Sequence, residues 1–143
     1  MEFPRLKDKR YPHPYDNRFK QDQRFYDEWY YGENEICFYA IGADLPILHI
    51  WDGYFYDIFR NAPLHGLGWR GFTRDYQQCE GPFDIGVEDW YTIPNLDEYI
   101  EDLLRYQHFT FECEDTRKAY NALVDWLGAA KKSGCKEVIY LEF

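Results

Sequence analysis

A core for this chain has to be built largely from aromatic rings. Its 143 residues include 14 Tyr, 11 Phe and 5 Trp, 21% of the whole, and its aliphatic content is modest. Each ring buries a large area, and Tyr and Trp carry a polar tip that needs a partner once inside. Packing so many rings leaves some at the surface, where Tyr and Trp anchor protein interfaces. At this length the chain reads as one domain, able to bury roughly 70% of the surface its unfolded form exposes.

Residues 1–23 read as a basic irregular arm and 24–143 as a single α+β domain. Pro4, Pro12 and Pro14 interrupt regular pairing in the arm. Arg24–Tyr31, Glu35–Ile41 and Ile47–Trp51 are rich in β-formers and suggest an antiparallel meander. Asp52-Gly53 is a hairpin signal, which makes Tyr54–Phe59 a returning strand. A short helix over 54–60 stays open, because six residues cannot separate the two periods. Residues 60–94 are loop-rich, with Phe72–Tyr76 and Asp89–Thr92 as candidate strands.

The C-terminal third is better marked. Asn95 with Glu98 forms a capping box, and Leu96, Tyr99, Ile100, Leu103 and Leu104 follow helical spacing. Phe109–Cys113 alternates like a strand. Asp115 caps a second helix running to about Lys132, with Lys131, Lys132 and Gly134 as end signals. Glu137–Leu141 reads as the closing strand. The expected fold is α+β: a mostly antiparallel sheet with two helices on a face and a C-terminal β-α-β unit.

Net charge is −10, yet residues 1–24 hold seven bases against four acids. The rest of the chain repels phosphate backbones and anionic lipid and attracts cationic partners. From Asp75 to Leu104 there are nine acids and no Lys or Arg. Asp97, Glu98, Glu101 and Asp102 are partly explained by helix polarity. Asp84, Glu88 and Asp89, beside Trp90 and Tyr91, have no such structural reason. These nine residues, Asp84, Glu88, Asp89, Trp90, Tyr91, Asp97, Glu98, Glu101 and Asp102, form the expected partner-binding face.

Other motifs are weaker. Gly66-x-Gly68-x-x-Gly71 lacks the strand and long helix that a dinucleotide fingerprint requires. Cys37, Cys79, Cys113 and Cys135 contain no C-x-x-C pair, so no metal is expected, and no cofactor motif appears. Reduced thiols, the absence of a signal-like apolar start and the lack of a 20-residue apolar run fit a cytoplasmic protein. Two rival readings remain. One is a small enzyme using His49, Asp52 and His65. The other is a sugar- or peptide-binding module using Trp69 and Trp90.

Small size, acidity, aromatic surplus and no catalytic signature give the chain its resemblance to the immunity proteins of bacterial contact-dependent inhibition and related polymorphic toxin systems. That resemblance spans the whole chain and rests on no shared motif, so no residue role transfers from it. It implies a stoichiometric inhibitor of one cognate toxin domain, typically a basic nuclease. Carboxylates would stand in for the phosphates that the toxin expects.

Overall fold

The computed structural model describes residues 23–25, 34–60, 62, 69–83 and 90–142. Among these residues five strands form one sheet: β1 (Gln23–Phe25), β2 (Glu35–Ile41), β3 (Leu48–Trp51), β4 (Tyr91–Thr92) and β5 (Glu137–Glu142), in the order β1-β3-β2-β5-β4. β2 pairs antiparallel with both β3 and β5, and β4 pairs antiparallel with β5. The fold is therefore α+β with a mostly antiparallel sheet. β1 departs from the expected meander: it lies parallel to β3 at the sheet edge.

Four helices cover one face: α1 (Asp52–Phe59), α2 (Gly71–Gln77), α3 (Leu96–Leu104) and α4 (Glu114–Ser133). Alternation along the strands sends Ile36, Phe38, Ala40, Leu48, Ile50, Val138 and Tyr140 into a core shared with Phe55, Phe59, Phe72, Tyr99 and Trp126. Phe72 sits near its centre, edge-on to Phe38, Phe55, Tyr99 and Tyr140. The opposite face carries a second cluster, in which Trp90, Ile139 and Leu141 pack with Tyr39 and Ile41.

Several local expectations give way to tertiary packing. Asp52-Gly53 opens α1 instead of turning a hairpin, which settles the open choice over 54–60 as a helix. A Cβ on Gly53 would fall 2.2 Å from the Trp51 ring, so the glycine admits the indole. The candidate strand at 72–76 is α2. Phe109–Cys113 is an irregular connection and not a strand, so no β-α-β unit precedes β5. Its alternating phenylalanines cover helices instead: Phe109 meets Tyr106, and Phe111 meets Tyr120. Arg117 donates to the carbonyls of Gln107 and Phe109, occupying groups that a strand would pair.

Both marked helices form, but α4 begins at Glu114 with Cys113 at its N-cap, so Asp115 lies in the first turn and does not cap it. The Asn95 side chain accepts from the Glu98 amide and starts α3. Gly134, at φ +70°, ends α4. The helix is 20 residues long. Trp126 is buried, and its ring N–H donates to the Pro46 carbonyl at 2.8 Å.

Gly71 is the last glycine of the G-x-G-x-x-G run, and its role is close packing. It opens α2 at φ +59°, and an added Cβ would sit 3.0 Å from Asp102 Cβ and 3.1 Å from the Tyr99 backbone. Gly71→Ala is expected to lose about 2 kcal/mol of stability through strained backbone and separation of α2 from α3. Gly128→Ala meets nothing within 4 Å and should gain roughly 0.5–1 kcal/mol from helix propensity. Urea midpoints of the two variants check this opposite pair.

Candidate functional site: an acidic helical face and a buried polar sheet face

The acidic run divides sharply once folded. Its first and last members, Asp75 and Asp102, are both 0% exposed. Asp75 accepts hydrogen bonds from the Tyr99 hydroxyl at 2.6 Å and the Tyr140 hydroxyl at 2.5 Å, and pairs with Arg74 at 3.1 Å. Burial first, and the neighbouring carboxylate next, hold both phenols well above the ordinary tyrosine value, so they act as donors.

Asp102 caps a helix that is not its own. Its carboxylate accepts from the Thr73 amide at 2.9 Å and the Thr73 hydroxyl at 2.8 Å, at the start of α2, and pairs with Arg105 at 2.8 Å. Burial pushes this carboxyl up from the usual value, against the pull of Thr73 and Arg105. Asp57 in α1 does the same for α4, where Cys113 offers no side-chain cap. It accepts from the Glu112 and Cys113 amides and from the Thr116 hydroxyl at 2.6 Å. Burial opposes its charge, but those hydrogen bonds and Arg60 outweigh it, and the carboxyl lies below the usual aspartate value.

Two members of the expected binding face must therefore be corrected. Asp102 is a buried capping group, and Trp90 is 2% exposed against Ile139 and Leu141. Neither stands where a partner can reach it, because apolar burial and trans-capping claimed them first. Tyr91 is half-buried on β4, edge-on to Tyr140. Asp84, Glu88 and Asp89 lie outside the described residues.

Asp97 and Glu101 are exposed, and Glu98 is partly so. Spacing of four and three residues puts Asp97, Glu101 and Leu104 on one face of α3. Asp97 pairs with Lys131 of α4 at 2.6 Å, and Glu98 lies 3.8 Å from Arg74. That lysine and the Tyr120 hydroxyl, which donates to the Leu103 carbonyl, set α3 and α4 antiparallel. Beside Leu104, which is 39% exposed, a cleft of 290 Å³ opens between the helices. Tyr120 and Val124 line it with Arg117, Asn121 and Asp125. An exposed leucine next to a cleft lined by Asp125 was not foreseen. The apolar Leu104 at the end of an amphipathic stripe was the available signal.

The second sheet face holds a different group. Cys37 and His49 are direct cross-strand partners, and Glu35 lies two residues from Cys37 on the same face. Cys37 Sγ is 3.3 Å from His49 Nδ1, and Glu35 Oε2 is 3.1 Å from that same nitrogen. Cys37 and His49 are fully buried and Glu35 nearly so. The proposed grouping of His49 with Asp52 and His65 is not what the described residues show around the imidazole. His49 faces Glu35 and Cys37, Asp52 opens α1, and His65 lies outside the described residues. Of the proposed sugar-binding pair, Trp90 is buried and Trp69 half-buried.

Set against protein-family models, curated proteins and solved structures, the chain matches none. Among the described residues no helix is long and apolar enough to cross a membrane.

Proposed function

We propose that this protein is a stoichiometric inhibitor, an immunity protein acting in the cytoplasm, that captures a cognate toxin domain of basic character, such as a nuclease. The observation that supports this reading is the α3–α4 surface. Leu104 stands exposed beside a cleft lined by Asp125 and Arg117, with Glu101 one turn back on α3 and Asp97, paired with Lys131, a turn further. An apolar anchor within a carboxylate surround suits a cationic partner: the charges steer encounter, and the anchor slows release. The net charge of −10 acts in the same direction. The buried Asp57, Asp75 and Asp102 are excluded from this role, which narrows the acidic face to exposed groups on rigid helices.

If the reading holds, a toxin domain is encoded beside this protein's gene, and that domain is the partner for the test. Wild-type protein should form a one-to-one complex and suppress the toxin's activity. Glu101→Lys with Asp125→Lys should slow association about 10-fold at low salt. Leu104→Ala should act mainly on dissociation. Association rates unchanged by the double reversal, in a protein that still inhibits, would remove this surface from the proposal. Absence of any complex would remove the function.

A further inference from the structure

The geometry points to a transition-metal site of the zinc class formed by Glu35, Cys37 and His49 on the sheet face opposite the helices. This inference is independent of the inhibitor reading. The three donor atoms, a carboxylate oxygen, a sulfur and an imidazole nitrogen, lie within 4.8 Å of one another. Donors held around a tetrahedral Zn²⁺ at their usual bond lengths stand about 3.3–3.6 Å apart. The observed 3.3 Å between Sγ and Nδ1 and 3.1 Å between Nδ1 and Oε2 approach two of those edges, and the sulfur–carboxylate separation, within 4.8 Å, would close on binding.

Hydrogen bonds link the three groups in this structure, and a cation would draw the same atoms to itself. Nδ1 of His49 faces both other groups. A proton on Nδ1 can be donated to Glu35, which turns the nitrogen's lone-pair role away from the thiol. Without that proton, Nδ1 can accept from the Cys37 S–H, but its lone pair then faces the carboxylate. A divalent cation satisfies all three lone pairs at once. With Cys37 as thiolate and Glu35 ionised, the cation's charge also balances two buried negative charges, which are costly when uncompensated.

The ligand set selects the ion. Sulfur and imidazole favour Zn²⁺ and its neighbours, whereas Mg²⁺ and Ca²⁺ require oxygen donors. Pre-organisation comes from the register, since Cys37 and His49 are opposed on β2 and β3 and Glu35 is on the same strand face. A metal here would clasp the two strands together. The three donors leave one tetrahedral position for a water or a further donor. Because the thiol must lose its proton on binding, affinity should rise with pH.

The experiment uses the full chain, freed of metal by dialysis against a chelator, and titrated with ZnCl₂, CoCl₂ or MgCl₂. One Zn²⁺ should bind per chain, and Tm should rise by roughly 5–10 °C when free Zn²⁺ is about 100 times its Kd. MgCl₂ should leave Tm unchanged. CoCl₂ should give a thiolate-to-metal charge-transfer band in the folded protein. Cys37→Ser should abolish that band, while the near-isosteric Glu35→Gln should keep it and weaken Zn²⁺ binding on the order of 100-fold. Cys79→Ser and Cys113→Ser should change neither. A folded wild-type protein with no charge-transfer band overturns the site. So does a band that survives Cys37→Ser.

Discussion

Asp75→Ala is expected to lower stability by about 3–5 kcal/mol, the largest effect of any single charged residue in the described structure. The carboxylate has no exposure, and three donors from three elements meet on it: Arg74 beside it in α2, Tyr99 in α3 and Tyr140 in β5. Removing it leaves two buried hydroxyls and part of a guanidinium without their acceptor. Each unsatisfied buried group costs roughly 1–3 kcal/mol. Urea denaturation gives the loss as a shift in midpoint. Tyr140→Phe in the same background should then cost little, because its acceptor is already gone. A full additional penalty would show that the hydroxyl is held by something else. Asp75→Ala also separates stability from function. It removes a carboxylate of the acidic run, but a buried one, so on the inhibitor proposal folded Asp75→Ala should bind a toxin domain at the wild-type rate, unlike Glu101→Lys with Asp125→Lys.

Asp57→Ala carries the second large effect, about 3 kcal/mol, because it uncaps α4 from outside. The Glu112 and Cys113 amides and the Thr116 hydroxyl all lose their acceptor together. This residue also sets part of the acid stability. Its carboxyl is depressed when folded, so its ionised form contributes stability that is present above the unfolded pKa of about 3.9. That contribution is lost as pH falls through the folded value. Asp57→Asn keeps an acceptor and removes the titration. Its stability should fall less steeply than wild type below pH ~4, which stability curves between neutral and acid pH would reveal. Asp102 has the opposite sign, since its folded carboxyl is raised. It works against stability above its folded value, and this offsets part of the acid loss.

These carboxylates explain why the acidic run could be seen in the sequence but not divided there. Asp97, Glu98, Glu101 and Asp102 share a helix, and charge and spacing treat them alike. Only Asp102 points at another helix's amide. The same limit hid α2. Phe72-Thr-Arg-Asp-Tyr, three polar residues between two rings, shows no extended packing face until Thr73 and Asp75 prove to be buried, with partners about 25–30 residues away. Cys37 and His49 share no metal-ligand spacing, and only the antiparallel register makes them neighbours.

By itself the sequence determined the α+β class, the aromatic core, the capped helix α3, the long helix α4 with its glycine end and the C-terminal strand β5. Each rests on local signals: period, cap residues and β-formers acting within a few residues of one another. The tertiary structure alone decided that Asp52-Gly53 starts a helix, that 109–113 is not a strand, and which carboxylates and aromatics are left for a partner. Those outcomes depend on contacts between residues far apart in the chain. There a buried carboxylate is worth keeping only because distant donors surround it, and no local pattern records that meeting.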